Sequence, residues 1–406
     1  MRELSRTAIA VSRRSTPALV LALFIGAGCG SDDSGDPAAG VGGSAGGGTG
    51  ASGGSAGSAG SGGSAGAGGS VGGSGGLGGS GGVASCVEDK HCNSVIKELV
   101  CTEGKCVCPS PAGCFTEFAI NSGALGRIAP GGDGNLWFAE QQGMRLGRIT
   151  PTGQVTEFPQ VPSKKPVDLV VKGIDGKIWF NEVGTGHVGV ATSSGAAVEY
   201  DASNIASGID ALTLGSDANV WFGQSAIDVV GSVTPNGVIS EYSLPAGTAA
   251  SAITRGPDDK LWFASTTNNQ ILRWNGPSDA GAIDTFTIPT SNANVADLVT
   301  GSDGNLWFSE YDANKIGRLA PGGAFSEFEL PNADSHPNVL TLGPDGNVWF
   351  TEQGSDRIGR ITTGGVITEY SLPAGSGPYG ITTGPDGHLW ITEQAASKVA
   401  VFVRGP

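Results

Sequence analysis

From residue 115 onward, short apolar runs of about five residues alternate with clusters of Gly, Pro, Asp and Thr. Runs of this length bounded by turn residues predict β-strands rather than helices. The pattern repeats. Trp-Phe, once Trp-Ile, recurs at Trp137, Trp179, Trp221, Trp262, Trp307, Trp349 and Trp390, at intervals of 42, 42, 41, 45, 42 and 41 residues. Each unit reads as four strands: an apolar run, a turn containing Asp, the Trp strand ending in Glu in most units, an Ile-Gly-Arg-Ile-like strand, and a Thr-Glu-Tyr/Phe-like strand. Four strands in about 42 residues is the pattern of a β-propeller blade. The expected fold is therefore all-β, a seven-bladed propeller over residues 115–406.

Labelling the strands a to d outward from the channel exposes an offset. The first strand of type d, around Glu117, precedes any Trp, and the last unit ends without one. Residues 115–118 are expected to complete the blade that contains Trp390 and remove the free sheet edge. The Trp side chains are expected in the core between blades. Counting back through the c–d turns sets Arg148 opposite Glu157, Arg318 opposite Glu327 and Arg360 opposite Glu369, expected as exposed scaffold pairs.

Composition adds organisation. Residues 30–84 hold 26 Gly in 55 positions, with Ser and Ala. Such a stretch cannot bury enough apolar surface to fold, so residues 29–85 are read as a tether, spanning roughly 40 Å as a random coil. The formal charge is −15, which argues against nucleic acid as a partner. A monomer is expected. Residues 1–28 read as a signal peptide: Arg2, Arg6, Arg13 and Arg14 precede an apolar run too short to span a bilayer. Cys29 follows Gly26-Ala27-Gly28 and resembles the lipidated cysteine of bacterial lipoproteins, with an ordinary signal peptide as the alternative. A lipid anchor on the outer membrane or cell surface is the localisation expected, and the only membrane contact. Cys86, Cys92, Cys101, Cys106, Cys108 and Cys114 form a separate module, residues 86–114. An even number of Cys in an exported segment reads as disulfides, with zinc as the rival. The Cys106-Val-Cys108 step resembles EGF-like modules, a resemblance that implies pairs 86–101, 92–106 and 108–114.

The segments Gly343-Pro-Asp-Gly-Asn-Val-Trp-Phe-Thr-Glu352, Arg357-Ile-Gly-Arg-Ile361 and Ile367-Thr-Glu-Tyr-Ser-Leu-Pro373 resemble the streptogramin B lyase (virginiamycin B lyase) family. The resemblance implies a lyase that opens a cyclic depsipeptide antibiotic by elimination. A His acts as general base, a carboxylate-held Mg²⁺ as Lewis acid, and a second His contacts substrate. Carried over residue by residue, the family's Glu-Pro-His-Gly falls on Gly377-Pro378-Tyr379-Gly380, and its substrate His on Asn338. The catalytic positions are thus Tyr and Gly, and a Tyr with a pKa near 10 is a poor base at neutral pH.

The ring of residues at the start of strand a is Gly126, Asp168, Asp210, Ser251, Ala296, Asn338 and Tyr379. Strand b ends on the same face at Glu140, Glu182, Gln224, Ser265, Glu310, Glu352 and Glu393. A hard cation prefers several oxygen ligands, so Glu352 and Glu393 are the candidate metal ligands, with Mg²⁺ as the cofactor the resemblance implies. The alternative is that these Glu are solvated or bonded to neighbouring backbone. Asn338, Asp168 and Asp210 are candidate substrate contacts. Tyr379 and His336 are candidates for proton chemistry, while His187 and His388 read as surface. Two functions follow: an anchored propeller that binds a small-molecule or peptide ligand at the channel mouth, or an active carbon–oxygen lyase.

Overall fold

The structure, a computed structural model, describes residues 96, 98–102, 105–202, 207–276 and 282–405. Cys29, Cys86, Cys92, the leader and the tether lie outside the described residues. Among the described residues the chain forms seven four-stranded antiparallel sheets and a two-stranded ribbon, Val100–Thr102 against Lys105–Val107. Blades 1 to 6 run in order through residues 125–160, 167–201, 211–243, 250–287, 295–329 and 337–371. Blade 7 takes strands a to c from 378–403 and strand d from Cys114–Ala119. That strand pairs along its length with Lys398–Val403, from Cys114 opposite Val403 to Ala119 opposite Lys398. The ring is closed as the offset of strand d predicts.

The repeat residues explain the blade. Strand b places Trp and Phe on opposite faces, and both are buried in every blade that has the pair. Trp137 packs with Val170 and Phe180 of blade 2, and Trp390 with Leu136 and Phe138 of blade 1, so the Trp ring is inter-blade core. Each Trp stacks on the strand d aromatic of its own blade, as Trp137 does on Phe158 at 4.9 Å and Trp390 on Phe118 at 5.9 Å. The Phe lies over strand c, where a Cβ on Gly147, Gly189 or Gly359 would overlap its ring. The turn Asp serves two groups: Asp133 accepts from the Asn135 N–H and from Trp137 Nε1, each at 3.2 Å.

The expected Arg–Glu pairs are off by one residue. Arg148 lies opposite Thr156, Arg318 opposite Ser326 and Arg360 opposite Thr368. One step of register moves a side chain to the other face of the sheet. Arg148 therefore lies over the Trp137 and Phe158 rings and bridges to Asp133. Glu157 pairs instead with Arg145.

Cys108 and Cys114 form a disulfide, and Cys101 and Cys106 are also disulfide-bonded. Ile96, Leu99 and Cys108 are buried in the same apolar cluster as Ile120, Val399 and Val401 of the propeller.

Candidate functional site

Strand a is bulged near its start in blades 1, 2, 4, 5, 6 and 7. A bulge leaves residues out of the ladder and re-aims their side chains. The freed backbone groups are met by polar residues on strand b. Thr392 Oγ1 accepts from the Gly380 N–H at 2.8 Å and donates to the Gly126 carbonyl of the next blade at 2.7 Å. Thr351 bridges Val339 and Tyr379 in the same way, and Ser309 bridges Asp297 and Asn338. The bulge positions include Arg127, Asp168, Asp297, Asn338 and Tyr379.

Two contacts show that these side chains meet across the ring. Arg127 Nη1 of blade 1 bonds Asp297 Oδ1 of blade 5 at 2.9 Å. Tyr379 of blade 7 donates its hydroxyl to Asp168 Oδ2 of blade 2 at 3.1 Å. Neither pair of blades is adjacent, so the contacts cross the channel. Asp297 also accepts from the Leu340 N–H at 2.9 Å. Burial alone would lower the Arg127 pKa, but Asp297, then Tyr379 and Asp168, raise it. Burial first, then the Asp168 charge, pushes the Tyr379 hydroxyl well above its ordinary range, against the opposing pull of Arg127. Tyr379 is thus held protonated as a donor.

Around this pair runs an arc of amides. Gln141 Nε2 donates to Asp168 Oδ1 at 2.7 Å, and Gln394 Nε2 to the Leu125 carbonyl at 3.2 Å. Gln353 Nε2 reaches Gln394 Oε1 at 3.4 Å, and Gln353 Oε1 accepts from Asn338 Nδ2 and Tyr311 Oη at 3.3 and 3.4 Å. The arc links blades 2, 1, 7, 6 and 5. Arg127, Asp297, Gln141, Gln353, Gln394 and Tyr311 were not singled out from the sequence. Their signal was position: four of them directly follow the last residue of strand b, and two are the second residue of a bulge.

The candidates from sequence separate into groups. Asp168 and Tyr379 meet, and Asn338 joins the arc. Asp210 instead accepts from the Ser225 N–H and hydroxyl at 2.8 and 2.6 Å. His336 stacks on Tyr311, with ring centroids 4.7 Å apart, and has a left-handed backbone at φ 51. Glu352 and Glu393 do end strand b, but both are fully buried. Glu352 faces Ser355, Ser335, Arg357 and Glu369, while Glu393 faces Ser376, Glu117 and Lys398. Arg357, Glu369, Lys398 and Glu117 lie on strands c and d of the same blades, so the Glu352 and Glu393 carboxyls expected at the channel mouth are turned inward between strands. Burial, then a neighbouring carboxylate, raises Glu352 to about 7. Glu393 is likewise pushed up to about 7, by burial first.

The donor set does not match a carboxylate-held Mg²⁺ at the family's position. Gly377 offers no carboxylate, its carbonyl accepts from the Gln394 N–H at 2.9 Å, and a side chain there would press on Ala395 Cβ at 2.7 Å with φ at +53. Glu393 is engaged within blade 7.

A model of the virginiamycin B lyase family matches residues 100–278 and 250–404. A streptogramin B lyase structure is 32% identical, covers 71% of this chain and 96% of its own, and superposes with a TM-score of 0.66. A catalytically inactive histidine-to-alanine variant of virginiamycin B lyase from Staphylococcus aureus, solved with quinupristin, is 30% identical over 71% of this chain and 98% of its own, also at 0.66. Hydrazine synthase from Kuenenia stuttgartiensis shares the fold alone, at 13% identity, 72% and 99% coverage and a TM-score of 0.59. No curated protein sequence matches.

Proposed function

This chain belongs to the virginiamycin B lyase family, and from that premise we propose that it is a ligand-binding member whose channel mouth holds a small-molecule or peptide ligand without eliminating it. The observation that carries this reading is Tyr379. It stands where the family has its base, yet it donates a hydrogen bond to Asp168 and its pKa is raised. A base must accept a proton at working pH, and this hydroxyl is arranged to keep its own. The surrounding side chains suit binding. Each Gln or Asn amide both donates and accepts, which matches the backbone of a peptide or depsipeptide, and Tyr311 and Tyr379 add apolar faces with polar tips.

The test is incubation with quinupristin and Mg²⁺, followed by calorimetry and fragmentation mass spectrometry. The expected result is heat of binding with an intact ring. Loss of a general base alone lowers turnover by about 10²–10⁴-fold. The alternative, an active carbon–oxygen lyase using Mg²⁺, is established if ring opening proceeds at the rate of a virginiamycin B lyase assayed in parallel.

The same proposal includes export and anchoring. Cys29 behind the apolar run and ahead of the Gly-rich tether supports lipidation. A fatty-acid probe is expected to label the wild type in cells and not Cys29→Ala. Equal labelling of both discards the anchor.

A further inference from the structure

The ends of strands b, c and d carry a repeated charge pattern away from the channel. In blade 1, Glu140 of strand b and Glu157 of strand d share Arg145, the first residue of strand c. Blades 5, 6 and 7 repeat this with Lys315, Arg357 and Lys398 between Glu310 and Glu327, Glu352 and Glu369, and Glu393 and Glu117. Blades 3 and 4 have Val229 and Gln270 in the cation position, and there strand b ends in Gln224 and Ser265 instead of Glu. The buried pair of carboxylates therefore accompanies a cation, as the cost of burying charge requires. Blade 2 departs from this. It keeps Glu182 and Glu199, but strand c begins with the imidazole of His187 where blades 1, 5, 6 and 7 have Arg or Lys.

We propose that blade 2 holds a Zn²⁺-class transition-metal ion between Glu182, Nδ1 of His187 and Glu199, with water in the fourth position. One donor atom from each of the first three residues lies within 4.8 Å of the others. His187 Nδ1 is 2.8 Å from Glu182 Oε2, while its Nε2, on the far side of the ring, is 3.3 Å from Asp201 Oδ1, which orients the imidazole as an outer partner. Donors around a tetrahedral zinc at about 2.0–2.2 Å are separated by similar distances, so small rotations close the site. The supporting shell is present: Ser163 donates its hydroxyl to Glu182 Oε1 at 2.5 Å and its N–H to Glu199 Oε1 at 3.0 Å, fixing both carboxylates. Such outer partners orient metal ligands. One imidazole with carboxylates favours zinc over Mg²⁺ or Ca²⁺, which prefer all-oxygen sets. The ion can enter from solvent, since the His187 side chain is 21% exposed.

The site takes the place of the Arg or Lys in other blades, and its metal is structural. The test is titration of metal-stripped protein with Zn²⁺, read by calorimetry and thermal melting, beside His187→Arg, which restores the residue of blades 1 and 6. The wild type is expected to bind one more Zn²⁺ than His187→Arg, with at least a hundredfold loss of affinity for that ion in the variant. Its melting temperature should rise with Zn²⁺ and not with equal Mg²⁺. Should His187→Arg fold poorly, Glu199→Gln carries the same expectation. X-ray absorption of the zinc-loaded protein should show one imidazole among oxygen ligands. Identical stoichiometry and affinity in wild type and variants, or no binding to wild type, overturns the proposal.

Discussion

A chain truncated to begin at Asn121 is expected not to yield a folded monomer, whereas one beginning at Cys114, with Cys114→Ser to avoid a free thiol, should still melt cooperatively. The difference is one strand. Cys114–Ala119 supplies the outer strand of blade 7. Its loss frees the edge of Lys398–Val403, removes Phe118 from Trp390 and leaves Lys398 without Glu117. It also unseals the junction between the first and last parts of the chain, the one place in the ring where covalent order does not hold neighbours together. An exposed apolar edge templates association, so aggregation on size-exclusion chromatography is the expected readout. The chain beginning at Cys114 loses Ile96 and Leu99 from the cluster they share with Ile120 and Val399. Burying such side chains contributes about 1.5–3 kcal/mol each, so its melting temperature should fall while the fold persists. A monomeric, cooperatively melting chain from Asn121 refutes the clasp.

Raising the pH from about 4 to about 8 should destabilise the protein through its buried carboxyls, most of all Glu310. It is fully buried, neither carboxylate oxygen has a partner, and burial followed by the charge of Glu327 raises it to about 8. The cause is local. Blades 6 and 7 place Ser335 and Ser376 two residues before strand a, facing Glu352 and Glu393, and blade 5 has Ala293 there. Below an unfolded value of about 4.3 both states of the chain hold the proton and stability is complete. As pH rises from there to about 8, the unfolded chain releases the proton and the folded chain keeps it, so stability falls. Above about 8 the loss is constant. At about 1.4 kcal/mol per pH unit, the full loss is about 5 kcal/mol. Glu310→Gln keeps the shape and removes the titration. It should match wild type at pH 4 and exceed it by several kcal/mol at pH 9, by urea denaturation at each pH. Ala293→Ser should recover part of the difference by supplying the missing donor. Parallel pH profiles for wild type and Glu310→Gln would show that the carboxyl is solvated.

The sequence by itself determined the ring. Trp spacing, turn Asp residues and the early Thr-Glu-Phe strand fix blade number, strand order and closure, because a blade is a local unit whose residues contact within about 42 positions. Motif comparison also placed Tyr379 and Asn338 at the channel mouth, and the repeat position at the start of strand a placed Asp168 there. What the sequence left open was direction. The Arg–Glu pairing failed by one residue because c–d turn geometry sets register, and one step reverses a face. Glu352 and Glu393 end strand b as expected, but the pleat turns them inward among serines and lysine or arginine. His187, read as surface, lies between carboxylates for the same reason. The contacts that define the channel, Arg127 to Asp297 and Tyr379 to Asp168, join residues 170 and 211 positions apart. Only closure of all seven blades, and bulges that re-aim single residues, brings those side chains together, and neither the rotation nor the bulge is written in any one repeat.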